Sequence, residues 1–173
     1  MTKSITTAVA AAALALLAAG AAQADTLAKI KQSGAASMGV RESSGALSFT
    51  LGNNQFAGFH DENSQRGLAD VQKSLGLAKL DIKYVPVTSQ NRIPLVQNGT
   101  VDIECGSTTN NATRQKDVAF AVTTYVEEVR IAVKANSGIT SIAQLAGKNV
   151  ATTTGTTSVQ HLRRHERGAN VNF

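Results

Sequence analysis

Four short apolar runs in this chain break off into loops crowded with serines, threonines and amides: "ASMGV" into "RESS", "LDIKYVPV" into "TSQNR", "VDIEC" into "GSTTNN", and "NVAT" into "TTGTTS". Helical patterns lie between the runs. Strands that alternate with helices run parallel, because each crossover carries the chain back to the same end of the sheet. The pattern predicts an α/β fold with a parallel-rich sheet. Ligands of such sheets sit beyond the carboxyl ends of the strands, so the four loops are expected to converge as walls of one pocket.

The remaining elements follow from local signals. "TLAKIKQSG" reads as a short amphipathic helix ending at Gly34, and "LSFTLGNNQFAGF" as a hairpin around Gly52-Asn53-Asn54. A helix is expected from Glu62 to Leu75, with Leu68, Val71 and Leu75 on one face. "LDIKYVPV" alternates in the manner of a strand, Ser89 is placed to cap a short helix, and Asn98-Gly99 to end it. "VDIEC" is the next strand, and Asn111 is placed to cap a helix that carries Arg114. Beyond Phe120 the pattern restarts: "VEEVRIAV" and "NVAT" as strands, "SIAQLAG" as a helix stopped by Gly147, "SVQHLRRHER" as a helix, and "NVNF" as the opening of one more strand.

Residues 1–24 have one early cation, Lys3, then an Ala/Leu-rich run and the small-x-small site Ala22-Gln23-Ala24. The run falls short of the ~20 residues that span a bilayer, so a cleavable export signal, cut after Ala24, is expected. Removing it leaves 16 basic and 12 acidic residues, a balance that suits an acidic small molecule. There is no dense basic block and aromatics are 4% of the chain, so neither nucleic-acid binding nor stacked-base chemistry is indicated. Cys105 is the only cysteine and is buried, reactive or missing a partner.

Within the loops, "GSTTNNATR" offers hydroxyls and backbone amides at a helix start, where unpaired N–H groups favour an anion. A guanidinium such as that of Arg114 can grip a carboxylate with two parallel bonds. A capped helix with a solvated arginine explains the same residues. Arg41 follows a strand directly and either serves the pocket or pairs with Glu42 or Asp61. His161 and His165 have metal-pair spacing, but among Arg163, Arg164 and Arg167 they read as a basic face. No metal site, cofactor or catalytic residue is expected, and Glu127-Glu128 point to opposite sides of a strand.

"GVRESS" (39–44), "GF" (58–59), "TSQNRIPLVQNGTVDIECGSTTNNATRQ" (88–115), "VAFAVTTY" (118–125) and "SIAQLAGKNVATTTGTTS" (141–158) together resemble the bacterial extracellular solute-binding proteins of family 3, the amino-acid receptors of ABC importers. The resemblance is to the glutamate/aspartate-binding branch. It implies a periplasmic binding protein type II-like, two-lobed Venus flytrap that holds an amino acid between its lobes and catalyses nothing. It places lobe 1 at residues 25–124 and a partial lobe 2 at 125–173, with the second lobe interrupted at Phe173. Arg41, Ser89 and Arg92 fall where the branch holds a side-chain carboxylate. Ser107, Thr109 and Arg114 fall where the family holds the α-amino and α-carboxylate groups, and Thr157 where the second lobe adds to the α-carboxylate grip.

The implied ligands are L-glutamate and L-aspartate, the implied partners are ABC-transporter permease subunits, and the implied location is the periplasm. "HDENSQRGLADVQ" departs from the family's pattern by placing Asn63, Arg66 and Gly67 where apolar residues are usual. Family members also run on for on the order of a hundred residues beyond this length, and the residue that holds the ligand's ammonium group lies there. Two other readings use the same residues: an enzyme on this fold, such as a dehydratase or a lytic enzyme, and a truncated chain that cannot close a cleft.

Overall fold

The structure, a computed structural model, describes residues 25–172; the expected export signal and Phe173 lie outside them. Asp25 opens the first helix, its side chain accepting from the N–H groups of Leu27 and Ala28. That helix, α1 (Thr26–Ser33), ends where Gly34 turns left-handed at φ 64°. Strand β1 (Ala35–Val40) follows, then the hairpin of β2 (Phe49–Gly52) and β3 (Gln55–Ala57). Helix α2 (Phe59–Ser74) leads to β4 (Asp81–Pro86), α3 (Arg92–Gln97) leads to β5 (Ile103–Glu104), and α4 (Thr157–Ala169) comes last.

The main sheet has the order β4-β1-β5. Both neighbours run parallel to β1, with Met38 opposite Tyr84 on one side and Ile103 on the other. Ala36, Met38 and Val40 bury completely, and Ile30 and Leu68 join them in the core. Asp102 fixes the start of β5. Its carboxylate accepts from the Ser37 N–H at 2.8 Å and from Lys29 Nζ at 2.8 Å, which ties β5 to β1 and α1 at once. Lys29 also donates to the Gly99 carbonyl.

Several sequence expectations hold. The hairpin turns through Asn53 and Asn54, both at positive φ, the mirror-image turn that matches strand twist. Helix α2 begins three residues earlier than expected, at Phe59, since Gly58 breaks the chain at φ 131°. Leu68, Val71 and Leu75 face the core as expected. The polar residues that depart from the family pattern do not disturb this face: Arg66 is exposed and pairs with Glu62 at 3.7 Å.

Residues 118–134 and 149–152 correct the expectations. "VEEVRIAV" and "NVAT" form no ladder with any of the described residues, so Glu127 and Glu128 do not sit across a strand. Alternating side chains permit a strand, but only a neighbour at ladder distance makes one. Here both stretches line the same cavity of about 1080 Å³ instead of pairing. Val122 and Val126 are 85% and 87% exposed. "SIAQLAG" forms a single 3-10 turn, Ile142–Leu145, with Ser141 and Gln144 as a reciprocal cap. "NVN" does not start a strand: Asn170 ends α4 left-handed at φ 53°, and the Asn172 carbonyl takes a bond from the Gly147 N–H.

Asp61, in the first turn of α2, is only 2% exposed and its Oδ1 has no hydrogen-bond partner. Burial, helped by the neighbouring charge of Glu62, pushes its carboxyl above the ordinary value against the lowering effect of the Gln65 hydrogen bond. The folded state therefore holds this proton more tightly than the unfolded chain, so Asp61 favours folding in acid and loses that contribution as pH rises through its folded pKa. Asp61→Asn is expected to raise the melting temperature at neutral pH, with the gain shrinking as the solution is acidified. Thermal melts of both proteins across that range test it; a gain independent of pH refutes it.

Candidate functional site

The chain leaves β1 towards β4 on one flank, while β5 occupies the other. Loops that depart from neighbouring strands in this way leave a crevice at the carboxyl ends. Arg41 stands directly after β1, and Gly106 two residues after β5. The two loops press together: a Cβ at Gly106 would lie 2.5 Å from Arg41 Cγ and 2.6 Å from Glu104 Oε1.

Arg41 makes no ion pair with Glu42 or Asp61. Its guanidinium donates from Nε to Ser44 Oγ, from Nη1 to the Val87 carbonyl and from Nη2 to Ser89 Oγ, at 3.1, 2.8 and 3.2 Å. Ser89 therefore serves Arg41 and does not cap α3. Thr88 and Asn91 close that turn, with the Thr88 N–H donating to Asn91 Oδ1 and the Asn91 N–H to Thr88 Oγ1. Ser44 also touches Ser107 at 3.2 Å, and Ser107 accepts from Arg92 Nη1 at 3.4 Å. One chain of contacts thus runs Ser89–Arg41–Ser44–Ser107–Arg92.

Arg114 sits in the 3-10 turn Arg114–Lys116, and Asn111 caps its backbone as the sequence suggests, though the expected α-helix is only this turn. Its guanidinium donates to the Thr109 carbonyl at 2.9 Å and to the Gly155 carbonyl at 3.0 Å. The second contact joins the "TTGTTS" loop to the others. A Cβ at Gly155 would lie 2.7 Å from Gln90 Cα and nearer still to the Ser89 carbonyl, so only glycine fits this approach. Thr157, two residues on, is half-buried at the start of α4.

Three cations so placed are electrostatically unusual. Arg92 is 2% exposed and its Nε has no partner. Burial lowers its pKa to about 10, with Glu104 resisting and Arg114 and Arg41 adding to the fall. Burial also lowers that of Arg114, again resisted by Glu104. The hydrogen-bond partners of the three guanidinium groups are carbonyls and hydroxyls, which orient a guanidinium without neutralising it, while Glu104 acts on Arg92 and Arg114 through space.

Arg92, Ser107 and Thr109 line a cavity of about 540 Å³, together with His60, Glu104 and residues 118–127. Thr109 and Thr157 share the larger cavity described above. The structure therefore brings Arg41, Ser89, Arg92 and Ser107 into one hydrogen-bonded chain and joins Thr109 to Arg114. Thr157 is linked to them through the shared cavity alone.

The reactive reading of Cys105 has no chemical support, and neither does His60 as a base for it. Burial, offset by a hydrogen bond with Ser64 and reinforced by Glu104, pushes the Cys105 thiol up, away from thiolate chemistry. Both ring nitrogens of His60 are engaged, Nδ1 donating to the Gly106 carbonyl and Nε2 meeting Thr124 Oγ1 at 2.9 Å. A carbonyl only accepts, which sets the tautomer. Ser44, Glu104 and Gly155 were missed in the sequence. An acidic residue ending a strand among three loop arginines was the available clue to Glu104, and the lone glycine of a hydroxyl-rich loop was the clue to Gly155.

Residues 36–168 match the bacterial extracellular solute-binding proteins, family 3. The chain is 45% identical over 165 residues to the glutamate/aspartate import solute-binding protein of Escherichia coli, covering 91% of this chain and 55% of that protein. It is 46% identical to the L-glutamate/L-aspartate-binding protein of Pseudomonas aeruginosa, covering 80% of this chain and 46% of the relative. The chain thus spans about half the length of the curated relatives it matches. The solved cysteine-binding protein of Campylobacter jejuni superposes with a TM-score of 0.65 at 21% identity, over 85% of this chain and 57% of that one. The fold is that of the type II periplasmic binding proteins.

Gly155→Ala tests the close approach of the fourth loop. The added methyl forces the loop off the Ser89–Gln90 backbone at φ 80°, at an expected cost of about 1–3 kcal/mol. Arg114, released from the Gly155 carbonyl, should react faster with phenylglyoxal, followed by peptide mapping. Unchanged labelling and melting refute the contact.

Proposed function

Because the chain belongs to the bacterial extracellular solute-binding proteins, family 3, we propose that it is part of a periplasmic receptor that captures L-glutamate and L-aspartate and delivers them to the permease subunits of an ABC importer. One observation carries the reading: Arg41, Arg92 and Arg114 meet at the carboxyl ends of a parallel sheet with, among the described residues, one carboxylate acting on them, that of Glu104. Such a surplus favours a ligand with two carboxylates. The names of the relatives from Escherichia coli and Pseudomonas aeruginosa support the same choice.

In this reading residues 25–124 are the first lobe and 125–173 belong to the second, with the ligand between them. Arg41, Ser89 and Arg92 hold the side-chain carboxylate. Ser107, Thr109 and Arg114 hold the α-amino and α-carboxylate groups: the hydroxyls and the Thr109 carbonyl accept from the ammonium, while Arg114 donates to the carboxylate. Thr157 adds a donor at the start of α4, where unpaired N–H groups favour an anion. Binding and release need no bond-making, so no acid–base pair is required. Residues 1–24 direct export and are removed after Ala24.

Two experiments follow. N-terminal sequencing of the periplasmic protein is expected to begin at Asp25, and an intact Met1 refutes processing there. Calorimetric titration of the full gene product should show binding of L-glutamate and L-aspartate, and silence towards both sinks the reading. In the same assay Arg114→Ala weakens glutamate and glutamine alike. Arg92→Ala lowers glutamate affinity by about tenfold to a few hundredfold, the worth of a charged hydrogen bond, and leaves glutamine nearly unchanged. Equal losses of both ligands in both variants overturn the division of roles.

A further inference from the structure

Glu104 stands apart from the residues assigned to the ligand. It ends β5 and its carboxylate folds back under the loop that follows. Its Oε2 accepts from Thr108 Oγ1 at 2.6 Å, while Oε1 is buried without a hydrogen-bond partner. The Gly106 backbone lies between this oxygen and the aliphatic stem of Arg41, a Cβ there meeting Oε1 at 2.6 Å and Arg41 Cγ at 2.5 Å. Glu104 also lines the smaller cavity beside Arg92 and Ser107. No ion pair joins it to any of the three arginines among the described residues, so it acts on them through space.

We propose that Glu104 is a specificity-determining residue, a fixed counter-charge held under the loop of residues 106–108 that sets how much net positive charge the cleft offers an anionic ligand. The inference rests on the reading of this cleft as an amino-acid site and adds a residue to it. Without Glu104 the cluster would present three positive charges; with it, two. It supports the ionised state of both Arg92 and Arg114, and thereby helps keep those guanidinium groups charged despite their burial. The same negative charge opposes every anion that enters. Glu104 thus trades strength of anion binding for a site whose own charges coexist, and this lowers its preference for a charged side chain over a neutral one.

L-Glutamate carries one more negative charge than L-glutamine, so the ratio of their affinities reads this effect directly. Glu104→Gln removes the charge and keeps an oxygen for Thr108. In calorimetric titrations of the full gene product, the glutamate-to-glutamine affinity ratio is expected to rise about tenfold, the effect of a unit charge roughly 10 Å away at an effective dielectric of about 20. Glu104→Asp keeps the charge and should hold the ratio near that of the unsubstituted protein. A Gln variant whose ratio is unchanged or lower, or whose affinities fall equally for both ligands, makes Glu104 a strut and overturns the proposal. So does a ratio raised as much by Asp as by Gln. A Gln variant that no longer melts cooperatively, beside an Asp variant that does, places the charge in folding and overturns it equally. An unsubstituted protein that binds neither amino acid instead removes the functional reading itself, and the inference falls with it.

Discussion

Everything at the site hangs on β1 being paired along both edges. A parallel strand with neighbours on each side has its backbone donors and acceptors taken up by the sheet, and its apolar side chains, Ala36, Met38 and Val40, are buried. Its last residue therefore has little freedom, and Arg41 leaves the sheet in a fixed direction. The Lys29–Asp102 pair reinforces this from the opposite end, because Asp102 also accepts from the Ser37 N–H and so locks β5 against β1. The two strand ends that bound the crevice are thus set by interactions at the far side of the sheet.

On that frame the site solves an electrostatic problem. Three guanidinium groups in partial burial repel one another and lose hydration, and both effects grow as water is excluded. Carbonyls of Val87, Thr109 and Gly155 and hydroxyls of Ser44, Ser89 and Ser107 take up many of their donors. These dipoles set orientation and leave the charge in place. The arrangement is therefore preorganised, with much of the cost of assembling like charges met during folding.

The α/β class was readable because its signals are local: Gly34 at a helix end, Asn53-Asn54 in a tight turn, and strand-end loops with a repeated composition. Helix α4 was readable for the same reason. Residues 126–133 misled because a strand is a property of a pair, and alternation in one segment says nothing about its partner. Ser89 shows a finer limit. A serine ahead of a helix is a sound cap by local rules, yet Arg41, 48 residues away, takes its hydroxyl. The arginines are legible through the loops that bear them, while Glu104 becomes legible only when set against those arginines, because a single acid at a strand end has no signature of its own.

The hairpin of β2 and β3 carries none of the proposed ligand-holding residues, yet its base helps hold one of them. Ser48 is wholly buried and bonds both ways with the Arg41 backbone, accepting from its N–H at 3.0 Å and donating to its carbonyl at 3.1 Å. Gly58 closes the hairpin against the Leu47 carbonyl, with no room for a side chain. The tip is different in kind: Leu51 is 61% exposed and the Asn53-Asn54 turn is exposed as well. Base and tip thus separate mechanical coupling from tolerance to change. A fluorophore or an inserted peptide at the tip would ride on a lever whose fulcrum is Arg41, which makes this hairpin the natural attachment point for a biosensor built on the scaffold.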